Sequence, residues 1–593
     1  MKTSTWGAVV LVLGLVGISA GVEGVSNTVG AAAPVTLTVG LTQDLDSPNV
    51  TTGVLVSSFE LWNLQYATLT DKAAADFTTI PGLATKWVAS DNGLTYTYTL
   101  RDGLKWSDGQ PLTADDVAWT INTSRDQAWI NHSSVTQHLT ATAVDATTVK
   151  ITSSVPDPKL PTMDVYILPR HIWEAKSKDD ITKYDALDGV GSGPFTLKEW
   201  KPNQEWTMVV NPSYYGGKPK LDQVVFRIYT EGAAMVAALQ SGEIDVAHDV
   251  PAELFGQLQG KAGIQTVVGS QGGFTEFAMN AGQSGLGDGH PALKDITVRH
   301  ALAKAIDRKA IFDRVLLGQG TLDDTIGVSP NPEWTPKIPA DQQLNYDPAA
   351  AKKLLDDAGY KDTNGDGIRE MPGGGKPLVF RYAERTESSI AASVRDLITG
   401  YLKAIGIGTD VSKYDDTQLT ALIGSGKYDL FVWGWTPFVD PDPQLSYFTC
   451  DQITKDAASP GSNDSNWCDP AYDKLYTQQN QELDHAKRVD LVHQMITMFY
   501  EKSSYLVLFH DADTQAYRTD RFTGWTKQPK DTGPVVFTNT SPTYVNLKPV
   551  GAGGGSGGTS TGLIIGLVVG GLVVLLIAGG IVLRSRSRRD DRE

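Results

Sequence analysis

Apolar residues recur along this chain in two registers, singly alternating or every third to fourth position, and the two registers take turns. VTLTVGL at 35–41 alternates, is rich in β-branched residues, and predicts the strand that opens the fold. LTYTYTL at 94–100 alternates again and runs into RDGLKWSDG, whose Asp-Gly pairs predict turns. PLTADDVAWTINTS then predicts a helix, with Thr113 as N-cap and Asp116 as the acidic half of a capping box. Helical spacing returns in DITVRHALAKAIDRKAIFDRVLLG, read as one segment ending at Gly318. It returns in DPAAAKKLLDDAGY, where Asp347 caps, Pro348 fills the first turn and Gly359 ends the helix. SIAASVRDLITGYLKAIGI and ELDHAKRVDLVHQMITMFYEKS complete the helical set, and short strands are predicted at Tyr428–Trp435 and in SYLVLFH. Strand and helix patterns in alternation predict an α/β class, and no repeat of solenoid period is present. The body is too long for one ordinary core, so two or three domains are expected.

The ends follow another pattern. Gly551 to Thr561 is Gly, Ser and Thr, a flexible tether without core-forming side chains. Leu563 to Leu583 carries no charge and, as a helix, spans about 31 Å, close to the hydrocarbon thickness of a bilayer. Arg584, Arg586, Arg588, Arg589 and Arg592 follow, which keeps that end cytoplasmic. A buried core helix is disfavoured, because this one has no polar face. Gly562, Gly566 and Gly570 form a close-packing face. At the other end, Lys2, an apolar run from Gly7 to Ala20 and then small residues resemble a secretory signal. The expected layout is therefore a signal over 1–33, a linker over 549–561, a transmembrane helix over 562–583 and a basic cytoplasmic tail over 584–593. The body between signal and tether then lies outside the cell.

A net charge of −17 argues against nucleic acid as partner, since phosphate binding needs concentrated Lys and Arg. The only cysteines, Cys450 and Cys468, lie in the extracellular stretch, where an oxidising compartment favours a disulfide over two free thiols. Neither follows the N-terminal apolar run, so lipidation there is excluded and the C-terminal helix supplies the anchor. No HExxH helix and no Walker loop occur, and the G-x-S-x-G at Ser556 sits in the linker, where no nucleophile elbow forms. No catalytic residue and no cofactor are predicted. Asp362, Asn364 and Asp366 follow the first half of a calcium-binding loop, but its twelfth position is Gly373 and Glu370 comes three residues early. An Asx-rich turn is the favoured reading there, with calcium as the minor alternative.

Several blocks in fixed order resemble the family 5 extracellular solute-binding proteins, the peptide- and nickel-binding receptors of ABC importers. They are Ile80 to Asn122, GSGPFTLKEW (191–200), NPSYYGG (211–217), LQSGEIDVAHDVP (239–251), VRHALAKAIDRKAI (298–311), YDPAAAKKLLDDAGY (346–360) and YDLFVWGW…DPD (428–442). The resemblance implies a two-lobed fold like that of periplasmic binding proteins, type II, of the large peptide-binding class. Lobe I would be 35–270 completed by 511–548, and lobe II 271–510. It implies a peptide or related small solute as ligand and permease subunits in the membrane as partners. Trp435 matches a pocket tryptophan that stacks on ligand, while Trp433 on the same strand face is read as core. The place of an Asp that pairs with a peptide ammonium reads Pro437-Phe438-Val439 here; either Asp440 or Asp442 takes over, or the ligand has no free ammonium. Arg385 matches an Arg that pairs with a ligand carboxylate. Trp129 is a lobe I candidate, and Asn280 is read as a hinge or structural group. The rival readings are a tethered solute sensor and an extracellular hydrolase.

Overall fold

The computed structural model describes residues 33–551 except 54, 130, 283–288, 387, 389, 437, 456–460, 503, 504 and 539. The expected signal up to residue 32, most of the tether, the transmembrane helix and the basic tail lie outside the described residues. Among the described residues no helix is long and apolar enough to cross a membrane.

The main sheet has ten strands. In spatial order they are Gly408–Tyr414, Val379–Arg385, Leu430–Trp435, Ile264–Met279, Tyr505–Arg518, Val246–Ala247, Thr36–Leu41, Gln223–Ile228, Glu205–Val210 and Phe195–Lys201. Val379–Arg385 runs parallel to both Gly408–Tyr414 and Leu430–Trp435, and Thr36–Leu41 runs parallel to both of its neighbours. Between these two parallel sets, the long strands Ile264–Met279 and Tyr505–Arg518 pair antiparallel and carry the sheet from one half to the other. Their ladder shifts register twice; at the larger shift Ser270 faces Ala512 but Phe274 faces His510, so four steps on one strand stand against two on the other. Such a bulge bends and twists the pair locally.

The apolar cores fall on either side of this break. One contains Leu37, Trp62, Trp106, Trp206 and Phe226 and takes in Tyr517, Val535 and Tyr544 from the end of the chain. Two others, around Phe277, Leu302 and Leu430 and around Phe274, Phe448 and Phe499, fill the second half. The fold is thus two-lobed α/β, with the long strands as the hinge. A separate antiparallel sheet, in the order Ala84–Ser90, Thr95–Leu100, Thr148–Ser153, Leu139–Asp145, flanks the first core.

Local signals in the sequence act as expected. The Thr113 side chain accepts from Asp115 N, and Asp116 returns to Thr113 N at 2.8 Å, closing the capping box of Ala114–Gln127. Asp347 accepts from Ala350 N at 2.8 Å, and Gly359 ends that helix at φ +85°. The single helix expected through 295–318 is two, Ile296–Ala305 and Arg308–Val315. Ile306 is extended, and Asp307 accepts from Ala310 N at 2.9 Å, so the aspartate starts a second helix instead of continuing the first. SYLVLFH opens a strand that runs on to Arg518, because Asp511, Asp513 and Gln515 interrupt the apolar pattern without interrupting the ladder. Cys450 and Cys468 form a disulfide with Cα atoms 4.8 Å apart.

Candidate functional site

In open α/β sheets, ligands lie outside the carboxyl ends of the parallel strands. Here Ala247 ends its strand next to His248 and Asp249, while Arg385, Tyr414 and Trp435 end theirs in the other lobe. The hinge residues 510–513 connect the two edges.

Asp511 is the first notable group on this floor. It is half-buried and accepts, among the described residues, only from Thr275 Oγ1, at 3.2 Å to each carboxylate oxygen. No described cation pairs with it, and burial pushes its carboxyl up to about 6. The main chain of Trp435 comes close to the same point. A Cβ on Gly273 would lie 3.0 Å from the Trp435 carbonyl and 3.9 Å from Asp511 Oδ2, so only a glycine lets strand and carboxylate come this close. The Trp435 ring packs on Tyr447 at 5.0 Å between centroids, and its Nε1 is buried without an acceptor. The end of this strand thus carries an aromatic side chain, and the hinge strand carries a carboxylate with no described cationic partner.

His248 is the second group. Its Nε2 lies 3.2 Å from Asp513 and 3.9 Å from Asp249. Burial alone would lower this imidazole; the carboxylates of Asp249 and Asp513 override that and hold it well above its ordinary value. Burial pushes Asp513 and Glu60 upward against the pull of His248, and the Tyr544 hydroxyl donates to Glu60. His248 thus lies among acidic side chains that favour its charged form.

The residues singled out from sequence fall in different places. Arg385 closes a two-pronged pair with Asp416 and lies over the Trp433 ring, 4.4 Å from its centroid, so the fork expected to meet a ligand carboxylate is already filled. Asp440 receives both Arg488 Nη atoms at 2.7 Å. Burial raises Asp440, but Arg488 outweighs it and holds the carboxyl below the usual range. Asp442 accepts from Gln479 Nε2 at 2.8 Å and sits 3.5 Å from Lys159 Nζ of the first lobe. Protein cations thus already face Asp440 and Asp442, the two residues expected as alternatives for a ligand ammonium. Lys159 also donates to Asn480 Oδ1 at 2.7 Å, so it ties the lobes together across the cleft mouth. Trp129 is only 3% exposed and packs on Trp119, Trp173 and His132 in the first core, which corrects its reading as a ligand contact. Asn280 is fully buried and donates to the Gly426 and Tyr428 carbonyls at 3.0 and 2.9 Å, a structural role. Sequence reasoning missed Asp511, Asp513 and His248. The polar interruption DAD within an apolar strand was the available signal.

Two lobes on a two-strand hinge, with an aromatic and a carboxylate on the floor between them, define a clamp that binds solutes. The chain belongs to the bacterial extracellular solute-binding proteins, family 5, whose middle region matches residues 78–456. It is 28% identical over 411 residues to the oligopeptide-binding protein AppA of Bacillus subtilis, covering 67% of this chain and 73% of that protein. It is 26% identical over 453 residues to the nickel-binding periplasmic protein of Escherichia coli, covering 73% of this chain and 82% of that protein. The solved structure of Bacillus subtilis AppA in complex with a nonapeptide matches with a TM-score of 0.70 at 25% identity, covering 87% of this chain and 99% of that one. These relatives are solute-binding proteins and not enzymes, which removes the hydrolase alternative.

Proposed function

We propose that this chain is the receptor of an ABC importer that captures short peptides with a free amino terminus between its lobes. The observation that carries this reading is Asp511: half-buried on the hinge strand between the lobes, it has no described cationic partner. A ligand ammonium would supply that partner and a stacking group would cover the indole. Likeness to an oligopeptide-binding relative supports the same ligand class. Asp511 then takes the role that the resemblance assigns to an aspartate just after the strand, where this chain reads Pro437-Phe438-Val439. Arg385 keeps a part as a cationic wall, sharing its guanidinium with Asp416.

A metal cargo is the second reading, because His248, Asp249 and Asp513 bring ligand atoms within 4.8 Å of one another. Asp511 is not part of that group and still calls for a cationic partner. The peptide reading is therefore preferred. The apolar segment at 562–583 and its arginines support a single-pass anchor, with the Gly/Ser tether raising the receptor's local concentration at a permease.

Mass spectrometry of solute released from the full chain purified in detergent tests the ligand class. Short peptides with free amino termini are expected. A sugar, or a metal complex without peptide, would contradict the proposal.

A further inference from the structure

The loop between the helix Pro348–Asp357 and the strand Val379–Arg385 lies in the second lobe and contributes nothing to the cleft. Asp362, Asp366 and Glu370 each bring a carboxylate oxygen to within 4.8 Å of the others. Two oxygens on one calcium ion, each at 2.3–2.6 Å from it, stand no more than about 5 Å apart, so one ion can reach all three. Around them, Asp362 accepts from Gly365 N at 2.7 Å and Gly367 N at 2.9 Å, and Asp366 accepts from Ile368 N at 2.8 Å. Those bonds shape the loop but do not by themselves call for a ligand.

Glu370 does. It is 4% exposed, and while Oε2 accepts from Thr363 N at 2.7 Å and Thr363 Oγ1 at 2.9 Å, Oε1 is buried with no partner. The adjacent Arg369 is committed elsewhere: it donates to Asp356, to the Tyr360 carbonyl and to the Ile405 carbonyl. A buried carboxylate oxygen without a donor is costly, and here it belongs to a trio of acids with no positive side chain paired to Glu370.

We propose that this loop binds one calcium ion through Asp362, Asn364, Asp366 and Glu370. Glu370 supplies the acidic oxygen that a helix–loop–helix calcium site takes from its twelfth position, which is Gly373 here. The motif misses the twelve-residue spacing only because its last ligand comes three residues early. An all-oxygen set on a flexible loop suits calcium over zinc or nickel, which take nitrogen or sulfur. The ion stabilises the second lobe and leaves solute affinity unchanged.

The test is calorimetry on the chelator-treated full chain in detergent. Adding CaCl₂ to saturation should raise the melting temperature of the second lobe by about 2–5 °C, and titration should give one site per chain. Asp366→Asn keeps an acceptor for Ile368 N and so keeps the loop, but should abolish the shift. Asn364→Asp adds a charge and should tighten binding severalfold. No heat and no shift in the wild-type chain, or an equal shift in Asp362→Asn and Asp366→Asn, would overturn the assignment.

Discussion

The two edges of the cleft treat their charges in opposite ways. On the second-lobe rim, Asp440 is locked to Arg488, Arg385 to Asp416, and Asp442 to Gln479 and Lys159. On the hinge floor, Asp511 is buried against a threonine alone. A buried charge that already has its partner stabilises the fold and gives a ligand little. A buried charge without one is where a ligand's charge returns the desolvation cost. The type of residue did not separate Asp440 and Asp442 from Asp511, since all three are aspartates; the partner did.

Exchanging partners should break this contrast in measurable ways. Asp511→Asn should weaken solute affinity by about 100- to 1,000-fold while leaving the melting temperature nearly unchanged, read by titration calorimetry. Its counterpart Asp440→Asn should do the reverse. It strands buried Arg488 and should cost about 3 kcal/mol of stability by denaturant unfolding, with affinity of the folded protein changed by less than about threefold. Trp435→Ala should lower affinity by about 10- to 100-fold, and Trp435→Phe should recover most of it.

Affinity should also depend on pH. The Asp511 carboxyl, raised to about 6 in the free protein, must be ionised to pair with an ammonium. Binding should be strongest at about pH 7, fall about tenfold per unit as the pH drops below about 6 because the carboxyl is protonated, and fall again above about 8 as the peptide amine loses its proton. In Asp511→Asn the fall on the acid side should vanish. The smallest effect belongs to the bridge across the cleft mouth. A double-mutant cycle of Lys159→Met and Asp442→Asn should give a coupling of about two- to fivefold in affinity, weakened by salt.

Much of the fold was legible because its signals are local. The capping box at Thr113 and Asp116, the Asp347-Pro348 helix start and the alternation at 36–41 each act within a few residues. Asp307 shows the limit, since a capping aspartate and a mid-helix aspartate look alike in a periodic run. The site was less legible because its chemistry depends on distant partners. Asp440 is spoken for by Arg488, 48 residues on, and His248 meets Asp513 across 265 residues. The burial of Trp129 was not legible because its ring partners Trp119 and Trp173 meet it only in the fold. Asp511 was hidden in a strand whose apolar pattern its own polarity interrupts.

The most direct measurement of the central claim is titration of the full chain in detergent with two pools of tripeptides that differ only in acetylation of the amino terminus. A partnerless Asp511 on the floor predicts binding of the free-amine pool, and loss of at least about 100-fold in affinity for the acetylated one. Equal binding of both pools would show that the ammonium is not what the cleft recognises, and would contradict the account.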